Sequence, residues 1–194
     1  MLNSFYIPVQ GWSHHREEKL FFFAGDGPAS DGDLIGDRRE GNMDNLLCCL
    51  DLATNTWSKP KTRGTSPSPR NVYAAATIAH RVVIHGGSNL NDTYMLDMES
   101  MTWTLISTGG PKASSHSLSL FAWERFLLIS GLGASREVWI FNMSNFTWER
   151  QDHLKLPVEM GYHRAVATKS RKAPSIVCLG GPSNVKNMVV FDVE

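Results

Sequence analysis

The sequence predicts an all-β chain, a β-propeller with about four blades. Three observations carry that prediction. Trp57, Trp103 and Trp148 stand 46 and 45 residues apart, the interval of a propeller blade. Each tryptophan trails the same strand-and-turn pattern. Four apolar stretches that end in glycine lie between them and beyond the last.

In chain order within a blade, the first strand is headed by PRNVY (69–73), SSHS (114–117) or GYHR (161–164), each leading into an alternating segment. The second strand is the glycine-ended stretch: KLFFFAG (19–25), RVVIHGG (81–87), RFLLISG (125–131) and SIVCLGG (175–181). Its glycines allow positive φ and close backbone approach where the strand turns out of a crowded sheet. The third strand and its turn are LCCLDL then ATNTW (47–57), YMLDM then ESMTW (94–103), and VWIFNM then SNFTW (138–148), which superimpose without gaps. The tryptophan opens the fourth strand and is expected to pack between adjacent sheets. The blades fall at about 1–62, 63–110, 111–155 and 156–194, the last partial, with a loop insertion at 28–44 in the first.

Composition bounds the function. With 194 residues and 42% hydrophobic content the chain can bury a core. Lys+Arg and Asp+Glu both number 19, which gives no electrostatic footprint for nucleic acid or an anionic membrane surface. The apolar runs, such as Phe21–Ala24 and Phe126–Ile129, are far shorter than the roughly 20 residues that cross a bilayer. Met1–Gln10 has no basic start and apolar run of a secretion signal, so a cytoplasmic or nuclear location is expected. Neighbours Cys48 and Cys49 point to opposite faces of a strand, which favours buried thiols over a disulfide framework. The sequons at Asn91, Asn142 and Asn145 are read as accidental.

The paired glycines, the hydrophobic-Asp strand and the trailing tryptophan together resemble the kelch repeat over essentially the whole chain. A narrower resemblance lies in TWSKPKTRGTSPSPRNVYAAAT (56–77), NDTYMLD (91–97), SSHSL (114–118) and the insertion between Gly27 and Asp44. These are similar to the kelch domain-containing proteins 1 and 2, six-bladed substrate receptors of cullin ubiquitin ligases. That resemblance implies a propeller that holds a protein C-terminus, and a C-terminal box that docks elongins. The chain departs from the pattern in three places. The arginines expected after the glycine pair are replaced by Ser88, Asn89 and Leu90. The pocket tryptophan position holds Ser115, with only Ser114 matching. Glu194 falls within the fourth blade, ahead of any elongin-binding helix, so ligase docking is expected only through a longer isoform. Four blades alone are expected as a fragment, a short isoform or half of a dimeric ring.

Residues that invite chemistry have plainer readings. The seven histidines show no compact ligand spacing with cysteine or carboxylate, and His116 and His163 occupy matching repeat positions, which fits blade architecture. Gly131–Ala134 leads to a strand, not to the helix a dinucleotide fingerprint needs. No serine sits in a GxSxG elbow. A kelch-type copper oxidase is the runner-up enzyme class by fold, but its tyrosine, cysteine and histidine set is missing. No catalytic residue, cofactor or metal is therefore expected. The chain reads as a non-enzymatic module that binds a protein or peptide through loops on one face. Candidate contact positions are Ser88 and Asn89, Ser114 and Ser115, and Tyr162. Substrate recognition in ubiquitin-dependent degradation is the sharper reading, and a cytoskeletal or trafficking scaffold is the alternative. The segment TSPSPR (65–70) has the composition of a phosphorylation or proline-reader site, with a blade-to-blade connector preferred.

Overall fold

The computed structural model describes residues 12–16, 19–23, 47–68, 70, 73–87, 90–111, 118–123, 125–130, 136–155, 164–169, 174–180 and 187–192. Every described regular element is a β-strand, and they fall into four sheets. The first contains β1 (Trp12–Arg16), β2 (Lys19–Phe23), β3 (Leu47–Asp51) and β4 (Thr56–Ser58) in sequence order. The second contains β5 (Arg63–Gly64), β6 (Ala74–Ile78), β7 (Arg81–Gly87), β8 (Leu90–Asp97) and β9 (Thr102–Ser107). The third contains β10 (Leu118–Trp123), β11 (Arg125–Ser130), β12 (Glu137–Asn142) and β13 (Thr147–Lys155). The fourth has three described strands, β14 (Arg164–Lys169), β15 (Pro174–Gly180) and β16 (Asn187–Asp192).

The strands β1–β4, β6–β9, β10–β13 and β14–β16 each form an antiparallel meander, and in the first three a repeated turn chemistry shapes the link between third and fourth strands. Between the third and fourth strands, Asp51 accepts the Thr54 amide at 2.9 Å, and Asp97 accepts the Ser100 and Glu99 amides at 2.9 and 3.0 Å. In the third sheet Asn142 accepts the Ser144 amide at 2.9 Å. These are Asx turns at one repeat position, where a short polar side chain mimics the backbone. The residue just before each outer strand is left-handed: Asn55 at φ 53°, Met101 at 52° and Phe146 at 57°. The backbone amides given to Asp51 and Asp97 hold both carboxyls below the usual aspartate range.

The second sheet gains a strand the repeat pattern did not predict. Two residues of the connector, Arg63 and Gly64, pair in parallel with Thr102 and Trp103, extending the sheet order to β5-β9-β8-β7-β6. Gly64 lies at φ 75°, and a Cβ there would strike the Trp103 carbonyl, so only glycine passes so close.

The first strands of successive sheets are neighbours: β1 lies beside β6, β6 beside β10, and β10 beside β14. Sheets whose innermost strands adjoin in this way, with their outer strands fanned apart, are the blades of a propeller. The core lies between blades. One cluster joins Phe21, Phe23, Leu47 and Cys49 of the first sheet to Val82, Ile84, Tyr94, Leu96, Met98 and Trp103 of the second. Another joins Ala74, Ala76 and Val83 of the second sheet to Phe141 of the third, with Trp139 and Trp148 packed against it. Successive residues of β7 therefore face different sheets, which is why that strand reads as a continuous apolar run. Cys48 and Cys49 are buried free thiols, and burial pushes both above the ordinary thiol pKa.

Candidate functional site

In the second sheet the glycine pair performs the turn expected of it. Gly86 and Gly87 sit at φ 67° and 101°. The ladder between β7 and β8 pairs His85 with Thr93 and Gly87 with Leu90, so Gly86 alone opposes Asn91 and Asp92 and the extra residue of this β-bulge lies on β8. The expected contact residues Ser88 and Asn89 lie outside the described residues. So do Ser114, Ser115 and Tyr162, and the insertion 28–44. What is described is how the two stems of the β7–β8 turn are held.

Arg70 holds them. Its side chain is buried, and all five N–H donors are engaged. Nη1 donates to the Gly86 carbonyl at 2.9 Å and to Asp92 Oδ1 at 2.6 Å. Nη2 donates to Asp92 Oδ2 at 3.1 Å and to Ser68 Oγ at 3.2 Å, and Nε donates to the Ser68 carbonyl at 3.0 Å. The guanidinium also lies over the Tyr94 ring, 5.3 Å from its centroid. Gly86 lies on β7 and Asp92 on β8, so one planar fork binds both stems. Lysine, a point charge with three donors, cannot reproduce that geometry. With every N–H committed, Arg70 has none left for the carboxylate of a bound peptide.

Below the clamp is a directional relay that crosses to the next blade. The Pro111 carbonyl 2.9 Å from His85 Nε2 can only accept, so the proton sits on Nε2 and Nδ1 accepts from the Thr93 hydroxyl at 2.9 Å. Thr93 Oγ1 in turn accepts the Trp148 indole N–H at 2.9 Å. The His85 and Trp148 rings lie 4.5 Å apart. A Cβ on Gly110 would come within 2.8 Å of both rings, so glycine is required where the connector passes. Burial lowers the His85 pKa to about 4, against the pull of the Pro111 hydrogen bond. A neutral imidazole with both nitrogens engaged is fixed as a structural link. On the other side of the sheet, the Tyr73 hydroxyl donates to the Phe23 carbonyl at 2.6 Å, tying the first-strand header to the preceding blade.

Sequence reasoning singled out the loops and missed these supports. Arg70 was legible only as part of a strand header, because its partner Asp92 is 22 residues away. His85 and Thr93 did leave a signal. In the glycine-ended stretches, the position of His85 is Phe23, Ile129 and Leu179 in the other three repeats. In the third strands, the position of Thr93 is Leu47 and Val138. A polar pair where every other repeat is apolar marks a built hydrogen-bond node. The contrast is visible one blade back, where Trp103 packs on Phe23 at 5.3 Å and its buried indole N–H has no partner.

Comparison with known proteins adds the wider context. The KLHDC2/KLHL20/DRC7 Kelch-repeats domain matches residues 12–194. Kelch domain-containing protein 2 of Bos taurus is 24% identical over 190 residues, covering 87% of this chain and 46% of that protein. Acyl-CoA-binding domain-containing protein 4 of Arabidopsis thaliana is 34% identical over 117 residues, 54% of this chain and 17% of the relative. Kelch domain-containing protein 3 of Bos taurus is 37% identical over 75 residues, 36% of this chain and 20% of the relative. The chain spans about half the length, or less, of these relatives.

Proposed function

This chain belongs to the KLHDC2/KLHL20/DRC7 Kelch-repeats family, and from that membership we propose a protein-interaction module that presents blade-end turns to a protein or peptide ligand. The observation that supports this most is the investment around the β7–β8 turn. A buried arginine fork, a β8 bulge opposite Gly86 and a relay to the next blade keep two turn stems fixed. Rigid stems lower the ordering cost of binding at the loop they carry. The groups that do so are used up in the process, so recognition is assigned to the candidate contact residues read from the sequence, Ser88, Asn89, Ser114, Ser115 and Tyr162. The repeat units of this module run at about 1–62, 63–110, 111–155 and 156–194.

A finer reading follows the likeness to Kelch domain-containing protein 2. We propose that the module selects substrates for ubiquitin-dependent degradation, in the cytoplasm or nucleus, with ligase docking supplied by a longer product of the same locus. Its ligand is expected to be read by hydrogen bonding and shape rather than by a bidentate arginine. The deciding experiment is a peptide array probed with the purified chain, each peptide made with a free and an amidated C-terminus, followed by amide chemical-shift mapping. Shifts at Gly87, Leu90 and Asn91, with similar affinity for both forms, support the reading. Strict dependence on a free carboxylate, or shifts confined to the outer strands β4, β9 and β13, would overturn it. Loss of elongin co-purification from the longer product would redirect the finer reading toward a cytoskeletal or trafficking scaffold.

A further inference from the structure

We propose that Ser68 is a phosphorylation site for a proline-directed serine kinase, and that its modification resets the Arg70 clamp on the β7–β8 turn. The connector holds two Ser-Pro dipeptides, Ser66-Pro67 and Ser68-Pro69. They differ in access. Ser66 is half-buried beside a buried Pro67, whereas Ser68 is exposed. Residues 65–68 make no strand ladder, so a kinase can bind the segment in extended form without first breaking a sheet.

The transfer is ordinary phosphoryl chemistry with ATP as co-reactant. The Ser68 Oγ–P bond forms, the bond from the γ-phosphorus to the β,γ-bridging oxygen breaks, ADP leaves, and the hydroxyl proton passes to the kinase's catalytic carboxylate.

What makes the site more than an exposed serine is its neighbour. Ser68 Oγ already lies 3.2 Å from Arg70 Nη2, and the same nitrogen lies 3.1 Å from Asp92 Oδ2. A phosphate adds about −1.5 to −2 charges and three strong acceptors. Placed there, it competes with Asp92 for one guanidinium and repels the carboxylate. Asp92 is the partner that can leave, since its side chain is 22% exposed while Arg70 is fully covered. Release of Asp92 frees the β8 stem of the turn and the strand residue next to Thr93, the centre of the relay to Trp148. The phosphorylation site stands independently of the proposed binding role, and only its effect on a ligand rests on that reading.

The test treats the folded full chain with Mg-ATP and a proline-directed serine kinase, then reads phosphate position by mass spectrometry and amide hydrogen exchange by residue. The expected result is one phosphate on Ser68 in the wild type and in Ser66→Ala, and none in Ser68→Ala. Exchange at Leu90–Thr93 is expected to rise severalfold on phosphorylation. Asp92→Asn should raise exchange at those amides to a similar level without kinase. If that variant does not fold, the comparison of wild type before and after treatment decides alone. Modification of a free 63–75 peptide but not of the folded chain would sink the proposal. So would phosphorylated Ser68 with unchanged exchange at 90–93.

Discussion

At the scale of single residues, two buried polar groups set the character of the site. Arg70 satisfies every donor it has, so its removal leaves Asp92 and the Gly86 carbonyl short of partners. Breaking a buried pair from one side costs several kcal/mol. Arg70→Lys, which keeps the charge but loses the fork, is expected to lower stability by roughly 2 kcal/mol in urea titration. An unchanged midpoint would mean that the clamp contributes nothing to folding. His85 carries the pH dependence. Its folded pKa is about 4, below the usual 6.5, because burial disfavours the cation, with Asp92 and Arg70 the charged groups nearby. Between those values the unfolded chain takes up a proton that the folded chain refuses. Stability from this group is therefore full above about pH 7 and falls as pH drops from 6.5 to 4, by up to roughly 3 kcal/mol. Unfolding midpoints measured at pH 7, 6 and 5 should decline, and the decline should shrink when His85 is replaced by phenylalanine.

At the scale of elements, the repeat supplies its own control experiment. The node His85, Thr93 and Trp148 in one blade junction corresponds to Phe23, Leu47 and Trp103 in the preceding one. The first is hydrogen-bonded throughout, and the second is apolar with an orphaned indole N–H. Thr93→Leu alone strands both the Trp148 indole and His85 Nδ1, and His85→Phe alone strands the Thr93 hydroxyl and the Pro111 carbonyl. Each is expected to cost about 1–3 kcal/mol. The double variant rebuilds the apolar node and should cost at least about 1 kcal/mol less than the two singles summed. Additive losses would show that the node is not a unit. The turns offer a second check. Asp97→Ala removes the acceptor for two backbone amides and one hydroxyl, and is expected to destabilise by about 1 kcal/mol. Asp97→Asn, the residue type found at Asn142, should recover most of that loss.

At the scale of the molecule, stability passes from blade to blade through a few aromatic contacts, as in other repeat proteins. Trp103 rests on Phe23 and Trp148 on His85, so β9 and β13 each grip the second strand of the blade before them. The second sheet is covered on both faces, and Val82, Val83 and Ile84 are fully buried. Amides of β7 and β8 are therefore expected to be the slowest to exchange among the described residues, with β4 and β13 faster. Trp148→Phe should accelerate exchange in β8 as well as in β13, and an effect confined to β13 would show that the blades open separately. Much of this fold was legible in the sequence, because its causes are local and repeated. The glycine-ended runs and the Asp or Asn turn position follow from backbone geometry within a dozen residues, and the tryptophan interval from repetition of one blade along the chain. The parallel pairing of Arg63 and Gly64 was not legible, since it depends on the outer edge of β9 some forty residues downstream. The same limit applied at the candidate site. Sequence pointed to the loops, and the polar substitutions at His85 and Thr93 were there to be seen against the other repeats. That Arg70 reaches Asp92, that it has no donor left over, and that Thr93 joins one blade to the next were decided by tertiary structure alone. Hydrogen bonds between side chains distant in sequence have no periodicity to announce them, and they exist only once packing has brought the blades together.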